Sequence, residues 1–312
     1  MLAFFTNNLF ADAKKELENC IKKDVNSSKF QSDDKLITTL VEKGSKLVKE
    51  GKFDKAMQYY KKALVKADKL YGAESTAAAM IYTSMGTLFL KKNEKIKAAD
   101  SLVKAYNIYK NSMGGMVNCK ADRLLLMQAG CIYFDANLYR QAWKTLKKAG
   151  KDIAKFTPDE KIRYLPKLYR YLALSCFKNK KYEEAIPYLR KSLELELAKK
   201  SVNYQELAVI NLFLGEALLK TKQFGNSLTS LLDSKKYFNS CKPSTFYQFK
   251  LYLSLSLVNE SLGKNKDNLL YAQKLNDICK KFDSTDFRKI VGLVYLADAM
   301  LANDRKKMLL NL

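Results

Sequence analysis

An all-α fold of repeated helical hairpins is predicted by two observations: one spacing of small and large residues returns down the chain, and residues that make turns are scarce. The chain has 312 residues, 47% of them apolar, enough to bury a sizeable core. It contains 4 prolines and 12 glycines. An all-β chain needs turn residues every ten or so positions, so that class is disfavoured.

The spacing is clearest at Gly44, Leu47, Gly51, Phe53, Ala56, Tyr60 and Ala63. Small residues belong where two helix backbones approach, and large ones fill the gaps between. Gly44 and Ala56 are therefore the predicted contact points of a helix A and a helix B. The figure returns 42 residues later at Gly86 with Phe89, Ala98, Leu102 and Ala105, and 44 after that at Gly130 with Tyr133, Tyr139, Ala142, Leu146 and Ala149. It recurs at Ala173, Cys176, Tyr182, Ala185 and Leu189, then at Gly215, Leu218, Phe224, Ser227 and Leu231. A sixth copy around Ser256 and Ala272 is degraded.

These G-x2-[YFL] and A-x3-[YFL] pairs resemble the tetratricopeptide repeat (TPR). The family's usual Trp is replaced by Leu40, Tyr82, Leu126, Tyr169 and Asn211. The step exceeds the usual period of about 34 residues and is similar to the long-period subclass found in kinesin light chains. Leu70-Tyr71-Gly72, the Ala-rich stretch ending Gly86-Thr87-Leu88-Phe89, and Tyr182-Glu183-Glu184-Ala185-Ile186-Pro187 are also of that type. The resemblance covers Asp34 to Cys279. It implies a right-handed α-solenoid of stacked helix-turn-helix units, and a non-enzymatic adaptor or scaffold.

Three regions are expected. Residues 1–31 hold an N-terminal amphipathic helix and a linker, with Leu2, Phe5, Leu9, Ala13, Leu17, Cys20 and Ile21 on one face. This helix caps the first repeat, docks on a partner or a neighbouring chain, or lies on a membrane surface. Its charge pattern is not that of a signal peptide, and no run reaches a membrane-spanning length. Residues 32–283 form five to six hairpins. Ser32-Asp33-Asp34 suits the start of the first helix, and Gly72 the end of the second. Thr157-Pro158-Asp159-Glu160 reads as a capping box. Pro166 should start or kink the next helix, Pro187 falls where amides lack partners anyway, and Pro243 opens the sixth repeat. Residues 284–312 supply a C-terminal capping helix from Phe287 to Leu301, with Met308-Leu309-Leu310 beyond.

Chemistry has little to stand on. There is no histidine, which removes the commonest general base and metal ligand. The six cysteines are scattered without a C-x2-C pair, so neither a zinc site nor a disulfide framework follows, and a reducing, cytoplasmic compartment is expected. Glu183 and Glu184 are adjacent and do not face each other on a helix. No catalytic residue, cofactor or metal is assigned.

Binding is better represented. The resemblance places the concave face on helix A, at Val41, Thr83, Met127, Arg170 and Leu212, then Ser45, Thr87, Cys131, Leu174 and Glu216, then Val48, Leu90, Phe134, Phe177 and Leu219. This largely apolar trough fits an amphipathic helix or an extended peptide; Phe134 and Phe177 could instead be inter-repeat core. The lysines and asparagines that clamp a carboxylate terminus in chaperone-binding members are absent. The paired asparagines of kinesin light chains are replaced by Thr83-Ser84, Met127-Gln128 and Arg170-Tyr171.

Charge adds a second surface. The chain has 56 basic and 32 acidic residues, a net +24, which favours RNA, acidic protein tails or an anionic membrane unless the lysines merely solvate the surface. Lysines recur at the turn between helices A and B: Lys49 and Lys52, Lys91 and Lys92, Lys178, Lys180 and Lys181, Lys220 and Lys222, then Lys264 and Lys266. Equivalent positions in a solenoid fall on one line, so a basic edge is expected, weakened at the third repeat by Asp135. The edge lacks the Arg and Gly punctuation of RNA-binding motifs. The reading that follows is a scaffold in a large assembly, cytoskeletal or ciliary by analogy, with tubulin tails as a candidate partner. The alternative is an RNA-binding or ribosome-associated protein.

Overall fold

The computed structural model describes residues 31–112, 120–151, 156–241, 243–283 and 285–310, and among them the chain forms thirteen α-helices and no strand. The expectations for residues 1–30 lie outside the described residues. Two compact units divide at Pro158.

The first unit holds three hairpins: α1 (Gln31–Lys49) with α2 (Phe53–Tyr71), α3 (Thr76–Lys91) with α4 (Lys95–Ser112), and α5 (Lys120–Asp135) with α6 (Tyr139–Ala149). The second holds α7 (Pro158–Lys178) with α8 (Tyr182–Leu197), α9 (Tyr204–Lys220) with α10 (Phe224–Asn239), and α11 (Thr245–Ser261) with α12 (Asn265–Cys279), followed by α13 (Arg288–Leu310). Within a unit, successive hairpins share a core. Ile81 and Leu88 of α3 join Val41, Val48 and Tyr60 of the first hairpin. Leu251 and Leu255 of α11 join Leu212 and Leu231. This is an α-solenoid of stacked helix-turn-helix units.

The small-on-large contact holds each hairpin together. A Cβ on Gly44 would stand 2.5 Å from Tyr60 Cε1, one on Gly130 2.5 Å from Leu146 Cγ, and one on Gly215 2.6 Å from Leu231 Cγ. In each case the large side chain lies sixteen residues on and covers bare helix backbone. The sixth copy breaks the rule and still forms a full hairpin. Its Ser256 takes the glycine's place, Ala272 the large residue's, and the Ser256 hydroxyl donates to Asn268 Oδ1 at 2.6 Å. A buried hydrogen bond there replaces apolar filling.

All six turns close in the same way. The residue at positive φ is Gly51, Asn93, Asn137, Lys180, Lys222 and Gly263 in turn. The amide after it donates to the carbonyl five residues earlier, as in Lys52 to Leu47, Lys181 to Cys176 and Gln223 to Leu218, each at 2.9 Å. This is a Schellman closure, which favours glycine at the left-handed position. Gly72 ends α2 with φ 82°, as expected. Pro166 does not start a new helix; α7 runs through it. The Ser192 hydroxyl of α8 donates to the Pro166 carbonyl at 2.9 Å, and Ser234 of α10 donates likewise to Ala208 at 2.8 Å.

Where tyrosine stands in the place of the family's Trp, a lysine of helix B covers the ring: Lys104 over Tyr82 at 4.4 Å and Lys191 over Tyr169 at 5.5 Å. Lys274 over Tyr252, at 5.8 Å, repeats the arrangement in the sixth hairpin. These contacts are cation–π pairs and also bury the lysine stems.

Candidate protein-binding surface

The helix A face begins with a correction. Val41, Thr83 and Met127 in the first unit and Leu212 in the second are buried, as are Val48 and Cys131. They are core residues and present no side chain to a partner. Thr83 spends its hydroxyl on the Ala79 carbonyl at 3.0 Å. Leu90 and Phe134 in the first unit, and Arg170, Phe177 and Leu219 in the second, remain partly accessible.

In the second unit this face is not simply apolar. The Arg170 guanidinium pairs with Glu206 of α9, and Lys250 Nζ of α11 donates to Glu216 Oε2 at 2.6 Å. The Ser254 hydroxyl adds a contact to Glu216 Oε1 at 3.4 Å. Each ion pair ties one helix A to the next. Phe177 meets Phe213 edge to face at 5.4 Å, and Lys250 Nζ lies 4.4 Å from the Phe213 ring centre. The floor thus carries rings framed by neutralised charge pairs. Glu206, Phe213 and Lys250 were not among the residues expected from sequence. Their partners lie some thirty to forty positions away, so no local spacing marks them.

The first unit differs. Phe134 packs edge to face on Tyr139 at 5.2 Å. An open cleft of about 510 Å³ lies between Asn93–Lys97 and Asp135–Asn137, where Lys95 Nζ donates to the Asp135 carbonyl at 3.0 Å. Its lining mixes both charges and carries no dominant sign.

The turn lysines are where the sequence puts them. Lys49, Lys52, Lys91 and Lys92 in the first unit and Lys178, Lys180, Lys181, Lys220 and Lys222 in the second are all exposed. Several have acidic neighbours: Lys52 with Glu50 at 2.9 Å, Lys92 with Asp54 and Glu94 at 3.4 Å, and Lys181 with Glu184 at 2.7 Å. The hydrogen bond from Lys52 holds the Glu50 carboxyl below its ordinary value, and that from Lys97 does the same for Glu94. Exposed pairs of this kind add little stability. No described helix is long and apolar enough to cross a membrane.

Residues 35–111 match one model of the tetratricopeptide repeat and residues 166–197 match another. Among solved structures, PilF of Pseudomonas aeruginosa is 15% identical, over 85% of this chain and 99% of that one, with a TM-score of 0.51. MamA of strain AMB-1 is 16% identical, over 67% of this chain and 96% of that one, with a TM-score of 0.48. YrrB, a TPR protein with an unusual peptide-binding site, is 16% identical over 78% and 98%, with a TM-score of 0.49. The likeness to PilF shows the fold. A search of curated proteins gives no match.

Proposed function

We propose that this chain, which carries tetratricopeptide repeats at 35–111 and 166–197, is a non-enzymatic scaffold that docks an acidic protein surface on the lysine-bearing turns of its hairpins. One observation carries the reading. Four of the six turns place glycine or asparagine at the left-handed position, but the fourth and fifth hairpins place Lys180 and Lys222 there, both at φ 60°. A left-handed L-residue costs about 1 kcal/mol or more, and strain retained at an exposed tip is a reason to look for function there. Lys178, Lys181 and Lys220 stand beside them. Compact ammonium groups on flexible stems suit clustered carboxylates. The half-buried Phe177 and Leu219 offer a helix or peptide its apolar contact on the adjoining face.

The long repeat step, similar to that of kinesin light chains, makes the acidic tails of tubulin the candidate partner, in a cytoskeletal or ciliary assembly. RNA is the alternative, favoured by the net +24. Lys180→Gly and Lys222→Gly separate stability from binding. Each should raise the stability to urea by about 1 kcal/mol, while the pair weakens binding to a polyglutamate peptide and flattens its salt dependence. Undiminished polyglutamate binding overturns the reading, and retention of RNA but not polyglutamate at physiological salt replaces it with the alternative.

A further inference from the structure

Helix α13 stacks on the sixth hairpin as a seventh helix A. Val291 and Tyr295 pack on Phe249, Leu275, Ile278 and Cys279, and Gly292 lets the helices close until a Cβ there would stand 2.7 Å from Cys279 Cβ. The last step of the array, Gly215 to Ser256, is 41 residues. The same step again reaches Ala297, in the middle of α13. In the first hairpin, the residues seven and three before the small residue and four after it are Ile37, Val41 and Val48. They are 2, 4 and 6% exposed, in a core they share with Tyr60 and Ala63 of helix B and with Ile81 and Leu88 of the next hairpin. Their counterparts in α13 are Ile290, Val294 and Leu301, and Leu293 and Met300 complete the same stripe. These five are apolar and 49 to 66% exposed. Among the described residues nothing lies on them. An apolar stripe of this length marks an interaction site.

The chain itself contains the matching piece. Helix B reads Phe53-x2-Ala56-x3-Tyr60-x2-Ala63 in the first hairpin, Tyr139-x2-Ala142-x3-Leu146-x2-Ala149 in the third, and Phe224-x2-Ser227-x3-Leu231-x2-Ser234 in the fifth. The residues ahead of α1 carry the figure once more, as Phe10-x2-Ala13-x3-Leu17-x2-Cys20. Helix α1 already has α2 as its partner, so the figure at Phe10–Cys20 is not used by the first hairpin.

We propose that the segment Phe10–Cys20 of a second copy docks on the exposed stripe of α13 and completes a seventh hairpin shared between two chains. Leu17 would cover Ala297 as Tyr60 covers Gly44 and Leu146 covers Gly130 in their own hairpins. The interface is head to tail, so it propagates from chain to chain unless a ring closes. It uses neither the turn lysines nor Phe177 and Leu219, the residues of the scaffold reading.

The test is sedimentation velocity on the full chain across a range of concentrations. The wild-type chain should show a mass that rises with concentration. Val294→Asp and Leu17→Asp should each lose that rise and sediment as monomers with unchanged helix content, and an equimolar mixture should form a 1:1 dimer that grows no further. That complementation arises because one variant keeps its docking segment and the other its stripe. Leu293→Lys decides the matter independently of how the N-terminal variant folds, because Leu293 is solvent-exposed. A wild-type chain that stays monomeric throughout, an α13 variant that still associates, or a mixture that stays monomeric overturns the proposal.

Discussion

Leu146→Ala is expected to lower the stability of the first unit by about 3 kcal/mol, with Gly130→Ser costing about 2 and the two together costing well under their sum. Leu146 is fully buried and lies across the bare backbone of α5 at Gly130. Truncating it opens a cavity beside a residue that cannot fill it. Adding a Cβ at Gly130 pushes against Leu146 Cγ at 2.5 Å and Leu146 N at 3.3 Å, the second of which is backbone and cannot rotate away. The double variant recreates the exchange that the sixth hairpin makes with Ser256 and Ala272. Urea denaturation of the four proteins gives the coupling directly. Strict additivity would mean that the two side chains do not share one contact and that the hairpin code proposed for the chain is wrong.

Gln128→Leu is expected to stabilise the protein by about 2 kcal/mol. Gln128 is fully buried in α5, and neither its amide oxygen nor its amide nitrogen has a hydrogen-bond partner. Its neighbours in sequence on that helix, Leu124 to Met127 and Ala129, are apolar and buried. An isosteric apolar side chain removes the desolvation penalty without leaving a void. A rise in the urea midpoint with an unchanged slope would bear this out, and a fall would mean that the amide is paired in solution.

The phase of the repeat was legible because a glycine sixteen residues ahead of a large side chain is a requirement of close helix approach, and Gly44, Gly130 and Gly215 meet it in the same form. The sixth hairpin was read as degraded for the converse reason: Ser256 and Asn268 meet the requirement with a hydrogen bond that spacing does not reveal. The trough was half legible. Helical spacing gives the face on which Val41, Met127 and Leu212 lie, but depth depends on what packs over it, and these residues turn out to be core. Phe177 and Leu219, two turns further, remain partly accessible. The pairs Arg170–Glu206 and Lys250–Glu216 could not be read at all, since each partner is an ordinary charged residue until two helices stand side by side. At the turns the lysines were plain, but the left-handed backbone under Lys180 and Lys222 was not, because lysine carries no hint of it.

The close seating of Gly292 on Cys279 makes that cysteine a reporter. Its thiol is buried, and burial pushes its pKa above the ordinary value, so an alkylating reagent should reach it only when α13 lifts. The partly exposed Cys241 on the preceding hairpin, whose thiol burial also pushes up, supplies a second labelling rate in the same molecule. The ratio of the two labelling rates then measures how firmly the last helix is seated, and anything that clamps the end of the array should slow the first without touching the second.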